Sequence, residues 1–203
     1  MRFSLTNLDG AVLIEPEPIF DERGSFTRTF CEDAFGERGL ETSFPQHSTS
    51  YNRAAGTLRG LHYQREPHGE AKVVHCLRGA VWDVIVDLRL ESPSYGRWQG
   101  FELSAVNCRR LYIPRGFGHG FQSLTADAEM GYLISVRYEP SAAAGVRFDD
   151  PALMIDWPLP VSVISDKDAA WPLLGCAGDR GSDGLQQVAS ERRVGGLAEG
   201  GER

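Results

Sequence analysis

The chain has 203 residues, 41% of them hydrophobic and 24% charged, with a formal net charge of −7. That suits one domain with a real core. It speaks against a general nucleic-acid binder, which needs a basic surface, and no apolar run approaches the roughly 18 residues that a membrane span requires. The N-terminus, "MRFSLTNLDGAVLIEPEP", lacks the basic-then-apolar order of a secretion signal. Cys31, Cys76, Cys108 and Cys176 are widely spaced and form no CxxC pair, so they read as reduced thiols of a cytoplasmic protein.

In chain order, "AVLIEP" is an apolar first strand and "CEDAFGERGL" a short helix stopping at Gly39. "KVVHCLRGAVWDVIVDLRL" has two apolar runs around "RG", a hairpin signal. In its second half Trp82, Val84, Val86 and Leu88 share one face, and Asp83 and Asp87 sit among Val81 and Ile85 on the other. "RWQGFELS" and "RRLYIP" follow as strands with Asn107 in the turn between them, and then comes "AEMGYLISVRY". "PALMIDWP" reads as a further turn. Gly and Pro punctuate these runs every ten residues or so, the rhythm of an all-β sandwich or barrel. From residue 176 the chain is Gly-rich and lacks aromatic residues, the composition of a disordered tail after a domain of residues 1–175.

"RGLHYQREPHGEAKVVH" (59–75) concentrates three of the five histidines and Lys72. The 21 basic residues include only two lysines, Lys72 and Lys167, so a lysine here marks a place that wants a compact ammonium or a movable proton. One reading of the cluster is a metal site, in which His68 and Glu70, two apart, share a strand face. Yet the stretch has no HxH pair, and "PHGE" reads better as an exposed turn. The other reading is acid/base chemistry. His62 suits a general base, Lys72 an oxyanion partner, and Tyr132 or Tyr138, evenly spaced on one strand, a proton donor.

Downstream, "PRGFGH" matches the P-x-G-x-x-H half of the cupin signature, with His119 pointing into the barrel. "RGLHYQ", "DVIVDLR", "SPSYGRW", "LSAVNCRRLYIPRGFGHGF", "AEMGYLISVRY", "RFDDPALMIDWP" and "ISDKDAAWPLL" together resemble the dTDP-4-dehydrorhamnose 3,5-epimerase family from about residue 9 to 174. The resemblance implies a cupin-like β-sandwich, a homodimer, and an enzyme working without metal or organic cofactor. It implies a nucleotide-linked 4-keto-6-deoxy sugar as substrate. It makes His62 the base, Asp168 its carboxylate partner, Lys72 the group near the C4 oxygen and Tyr132 the donor. Arg23, Gln46, Arg59, His119 and Lys167 match positions that contact the nucleotide-sugar, and Tyr138 stands as a second candidate tyrosine. Arg28, Ser48 and Ala143 depart from the family pattern in segments that bind substrate.

Overall fold

The structure is a computed structural model that describes residues 1–176. The Gly-rich tail predicted from the sequence therefore lies outside the described residues. In chain order the strands are β1 (Arg2–Leu5), β2 (Val12–Glu15), β3 (Ile19–Asp21), β4 (Gly24–Phe26), β5 (Gln46–Asn52), β6 (Leu58–Gln64) and β7 (Lys72–Arg78). Then come β8 (Ala80–Asp87), β9 (Trp98–Ser104), β10 (Arg110–Ile113), β11 (Phe117–Ser123), β12 (Ala128–Ile134) and β13 (Ala143–Gly145). Two short helices, α1 (Glu32–Gly36) and α2 (Asp166–Ala169), and a 3-10 turn at Leu174–Cys176 complete the described elements.

Two antiparallel sheets face each other, one ordered β1-β2-β10-β7-β12-β5 and the other β13-β6-β11-β8-β9. Between them lies a core to which both sheets contribute: Val74, Leu111, Ile113 and Met130 from the first meet Val81, Ile85, Phe117 and Phe121 from the second. Strand β11 is buried along its whole length, as expected of a strand covered on both faces. This is the β-sandwich that the glycine punctuation and the cupin-type motif predict.

The outer face of the six-stranded sheet is roofed by α1. Phe35 is fully buried there, packed edge-on by Phe3, Phe44 and Tyr112. The helix is regular only to Gly36. Gly39 then takes a left-handed φ of +67°, and Leu40 N–H reaches back 3.1 Å to the Phe35 carbonyl, a glycine-capped ending. On the other sheet the outer face is covered by residues 146–157, whose Val146 and Leu153 pack on Leu61, Val84 and Val86. "PALMIDWP" makes a single turn, and the Leu153 carbonyl in it accepts from Trp98 Nε1 at 2.8 Å.

One expectation is corrected. "KVVHCLRGAVWDV" is not a hairpin, because β7 and β8 belong to different sheets. Only Gly79 separates them, one residue fewer than the tightest common hairpin loop needs. Its φ is +72°, and a Cβ there would lie 2.3 Å from Thr125 Oγ1, so the chain turns a corner between layers where only glycine fits. Asn107 sits in the β9–β10 turn as read, its Oδ1 accepting from Ser104 N and Arg109 N at 3.0 Å each.

β3 and β4 form a separate two-stranded sheet. Its Ile19, Phe20 and Phe26 are each at least 70% exposed.

Candidate active site

Strand β6 carries the first group. Its pairing with β11 runs His119↔His62 and then Phe121↔Arg59, so β6 holds one extra residue around Gly60. Such a bulge re-aims a side chain. Gly60 is required there: its φ is +124°, and a Cβ would come within 2.5 Å of Gly120 Cα. His62 Nε2 lies 2.7 Å from Asp168 Oδ1, with the ring 43% exposed and the carboxylate nearly enclosed. Asp168 is delivered by α2, whose N-cap Ser165 Oγ accepts from Asp168 N at 3.1 Å. Gly60 N–H donates to its other oxygen at 3.1 Å.

Burial alone would raise the Asp168 carboxyl. The His62 ring and the Gly60 amide outweigh it, and the group stays below the ordinary carboxylate range. An ionised Asp168 accepting from Nε2–H leaves Nδ1 as the basic nitrogen of His62. Histidine, orienting carboxylate and an open side of the ring make a general-base unit.

The facing sheet supplies the next two groups. On β7, Lys72 alternates with Val74 and Cys76 toward the inter-sheet space. Its Nζ pairs with Glu70 Oε1 at 2.9 Å and approaches the His62 carbonyl at 3.5 Å. On β12, Tyr132 packs against the inter-sheet core, its hydroxyl 3.0 Å from Ser50 Oγ. Burial pushes this phenol well above its ordinary value, so it stays protonated through the neutral range and is available as an acid. The His119 ring stands edge-on to Tyr132 at 6.2 Å and holds Asp83 Oδ2 at 2.9 Å.

His62, Asp168 and Lys72 thus form one set and His119 with Tyr132 another, and the two sets meet where His62 lies opposite His119 in the β6–β11 pairing. Arg59 lies on the same strand as His62, with Nε 2.8 Å from Asn52 Oδ1. Lys167 precedes Asp168 on α2 and reaches over the Trp171 ring at 5.3 Å. Gln46 opens β5, and its Oε1 accepts from Tyr138 N at 2.7 Å. Arg23 stands apart on the β3–β4 hairpin, 85% exposed and paired with Asp21. Tyr138 does not share the strand of Tyr132: β12 ends at Ile134, and Tyr138 lies beyond it, 56% exposed. The even-spacing argument for it fails because the strand stops before the spacing is complete. Glu70 faces Lys72 rather than a metal. Among the described residues no three His, Cys, Asp or Glu side chains gather as an ion-binding set.

A family model described as dTDP-4-dehydrorhamnose 3,5-epimerase matches residues 5–175. The chain belongs to the dTDP-4-dehydrorhamnose 3,5-epimerase family. An epimerase of that name from Methanothermobacter thermautotrophicus is 47% identical over 174 residues, covering 84% of this chain and 92% of the relative. A dTDP-4-dehydrorhamnose 3-epimerase from Streptomyces niveus is 40% identical, covering 89% and 87%. Among solved structures, a dTDP-6-deoxy-D-glucose-3,5-epimerase from Legionella pneumophila in complex with dTDP-4-keto-L-rhamnose superposes with a TM-score of 0.82. It is 41% identical, and the match covers 87% of this chain and 94% of that one. The family assignment and the cupin-like sandwich read from the sequence both stand.

Four side chains escaped the sequence reading of this epimerase-family site: Ser50, Asn52, Glu70 in its role at Lys72, and Asp83. Asp83 had a signal, a carboxylate alternating with Val81 and Ile85 on a core-facing strand. Ser50 and Asn52 had none, because small polar residues on an edge strand are ordinary.

Proposed function

We propose that the chain epimerises C3 and C5 of dTDP-4-dehydro-6-deoxy-D-glucose to give dTDP-4-dehydro-L-rhamnose. The observation that carries this reading is the His62–Asp168 pair on one sheet facing a protonated Tyr132 on the other. A proton α to a ketone leaves only if the resulting anion spreads onto the oxygen as an enolate. His62 takes that proton at Nδ1, and Asp168 stabilises the imidazolium. The Lys72 ammonium faces the C4 oxygen and holds the enolate, a contribution of the oxyanion kind, worth about 2.7–4 kcal/mol. Tyr132 gives a proton to the opposite face of the carbon, inverting it; His62 then releases its proton to solvent and Tyr132 takes one back, which restores both groups. The scheme uses no metal and no organic cofactor.

Arg59, Lys167, Gln46 and His119 are assigned to the nucleotide-sugar, with the cations on the diphosphate. Arg23 joins them through dimerisation. Its hairpin presents Ile19, Phe20 and Phe26 to solvent, an apolar surface suited to a second copy. Tyr138 is left as a rim contact. The free thiols of Cys31, Cys76 and Cys108 support a cytoplasmic setting.

Incubation with dTDP-4-dehydro-6-deoxy-D-glucose in deuterium oxide tests the reading. Deuterium entering at both C3 and C5 supports it. Label at C3 alone makes the chain a C3-epimerase, and label at neither makes it a binding protein. Sedimentation of a monomer at micromolar concentration would remove the dimer and the place of Arg23 with it.

A further inference from the structure

The six-stranded sheet has two faces. Lys72, Val74 and Tyr132 look inward, so Val73, His75 and Leu133 look outward. On that outer side a cavity of about 620 Å³ is lined by Arg110, His75, His47, Thr42 and Ser43, with Phe30, Phe44 and Leu133 as apolar wall. Its floor is the back of the strands that hold Lys72 and Tyr132, one sheet thickness from the catalytic groups.

Arg110 is the unexplained feature. It is only 7% exposed, and among the described residues its Nε has no hydrogen-bond partner. Among the described residues its one side-chain hydrogen bond is Nη1 to His75 Nδ1 at 3.3 Å, across the β10–β7 pairing. That neighbour is a base, not a counter-ion. Burial lowers the guanidinium to about 10, against an opposing pull from Cys108. It remains charged at neutral pH, and a buried charge without a partner is expensive. Since Nδ1 of His75 accepts from Arg110, Nε2 carries the ring proton and is a second donor. The ring is pinned over Gly131, where a Cβ would lie 2.6 Å from Cε1. Thr42 and Ser43 add hydroxyls. Glu32 at the cavity is the single carboxylate among its lining residues.

We propose that this outer-face cavity is an anion site, with Arg110 and His75 binding the phosphate group of a small organic phosphate, separate from the catalytic cavity. The planar guanidinium suits a bidentate oxyanion. The cavity far exceeds a bare ion, and Phe30, Phe44 and Leu133 give an organic body somewhere to lie. The site does not rest on the catalytic reading.

Inorganic phosphate is the probe, titrated into the full chain at ionic strength held constant with sodium chloride, followed by calorimetry and melting temperature. The titration is run with and without saturating dTDP, which occupies the catalytic phosphate contacts. One saturable event should persist under both conditions. Arg110→Gln should weaken it at least tenfold and His75→Asn severalfold, the latter serving if Arg110→Gln does not fold. Arg109→Gln, the same charge change at an exposed neighbour paired with Glu15, should leave it intact. Abolition of the event by dTDP, or equal titration of all variants, would overturn the site. So would the absence of binding combined with a dimer that Arg110→Gln dissociates, which would make Arg110 a contact between copies.

Discussion

Strand β8 carries two buried carboxylates four residues apart on one face, and the molecule treats them in opposite ways. Asp87 is saturated: Arg89 donates through Nε at 2.9 Å, Nη2 at 2.7 Å and its backbone N–H at 3.0 Å, and Ser94 Oγ donates at 2.6 Å. Ser92 also donates to it. Asp83, roughly 13 Å along the strand, has His119 on one oxygen, and its other oxygen has no partner among the described residues. Saturation marks the end that holds the sandwich shut. Unused hydrogen-bonding capacity marks the end that the proposed reaction assigns to substrate, since a buried polar atom left short costs stability and persists where it serves something else.

Substitutions at the two ends should dissociate chemistry from stability. The largest effect belongs to His62→Ala. Both deuterium exchange and inversion should fall to background, while the melting temperature falls only modestly, because the Gly60 N–H still holds the Asp168 carboxylate that loses its imidazole partner. Retained exchange would move the base elsewhere and break the comparison at its open end.

Tyr132→Phe should come next and fail differently. The base unit survives, so exchange continues, but the enolate is reprotonated from the side it left. Inversion should drop ~10²–10⁴-fold, the usual worth of a positioned acid. Equal, small losses in both assays would reduce Tyr132 to packing.

At the closed end the pattern should reverse. Asp87→Asn should cost about 3 kcal/mol in denaturant unfolding, the low end for a broken buried pair because Arg89 keeps some solvent, with turnover per folded molecule retained. Hydrogen bonds from Arg89, Ser92 and Ser94 hold the Asp87 carboxyl below its ordinary 3.8 despite the opposing pull of burial. Its stabilisation is therefore complete above about pH 4 and lost as pH falls toward the depressed folded value. The variant's stability should be flatter than the wild type's below about pH 4. An unchanged acid limb would show that other carboxylates govern it.

Asp83→Asn is the smallest and sharpest test. Asparagine still accepts from His119 Nε2, so stability should change by under about 1 kcal/mol. Loss of the charge behind the imidazole should lower kcat/KM by about tenfold, measured on the keto sugar. A stability loss matching that of Asp87→Asn would erase the distinction between the two ends.

Much of this was legible in advance, and the reason differs by residue. His62, Lys72, Asp168 and Tyr132 lie in contiguous motifs whose order identifies the family, so their convergence was readable although Asp168 is 106 residues from His62. The alternation of Val81, Asp83, Ile85 and Asp87 foretold one face of β8 because strand periodicity is local. The β7–β8 junction was misread for the same reason. Two apolar runs around "RG" look alike whether the chain folds back or passes between layers, and only the contacts of Gly79 with Thr125 and Ala128 decide. The even spacing of Tyr138 with Tyr132 failed because a strand's end is set by its partners: β5 begins at Gln46, opposite Ile134, and offers no strand backbone beyond that point. Arg110 gave no warning, since an arginine in an apolar strand of an arginine-rich chain is unremarkable until its lack of a counter-ion is seen.

The proposed division of the proton machinery between sheets also makes the enzyme a clock for its own assembly. His62 sits on the five-stranded sheet, Lys72 and Tyr132 on the six-stranded one, and Asp168 arrives near the end of the described residues. During refolding, local pairings such as β8 with β9 can form early, because the loop each closes is short. No such partial structure brings base and acid together. Backbone signals from β8 and β9 should thus recover before any exchange of substrate protons, and the lag between the two would time the docking of one layer on the other.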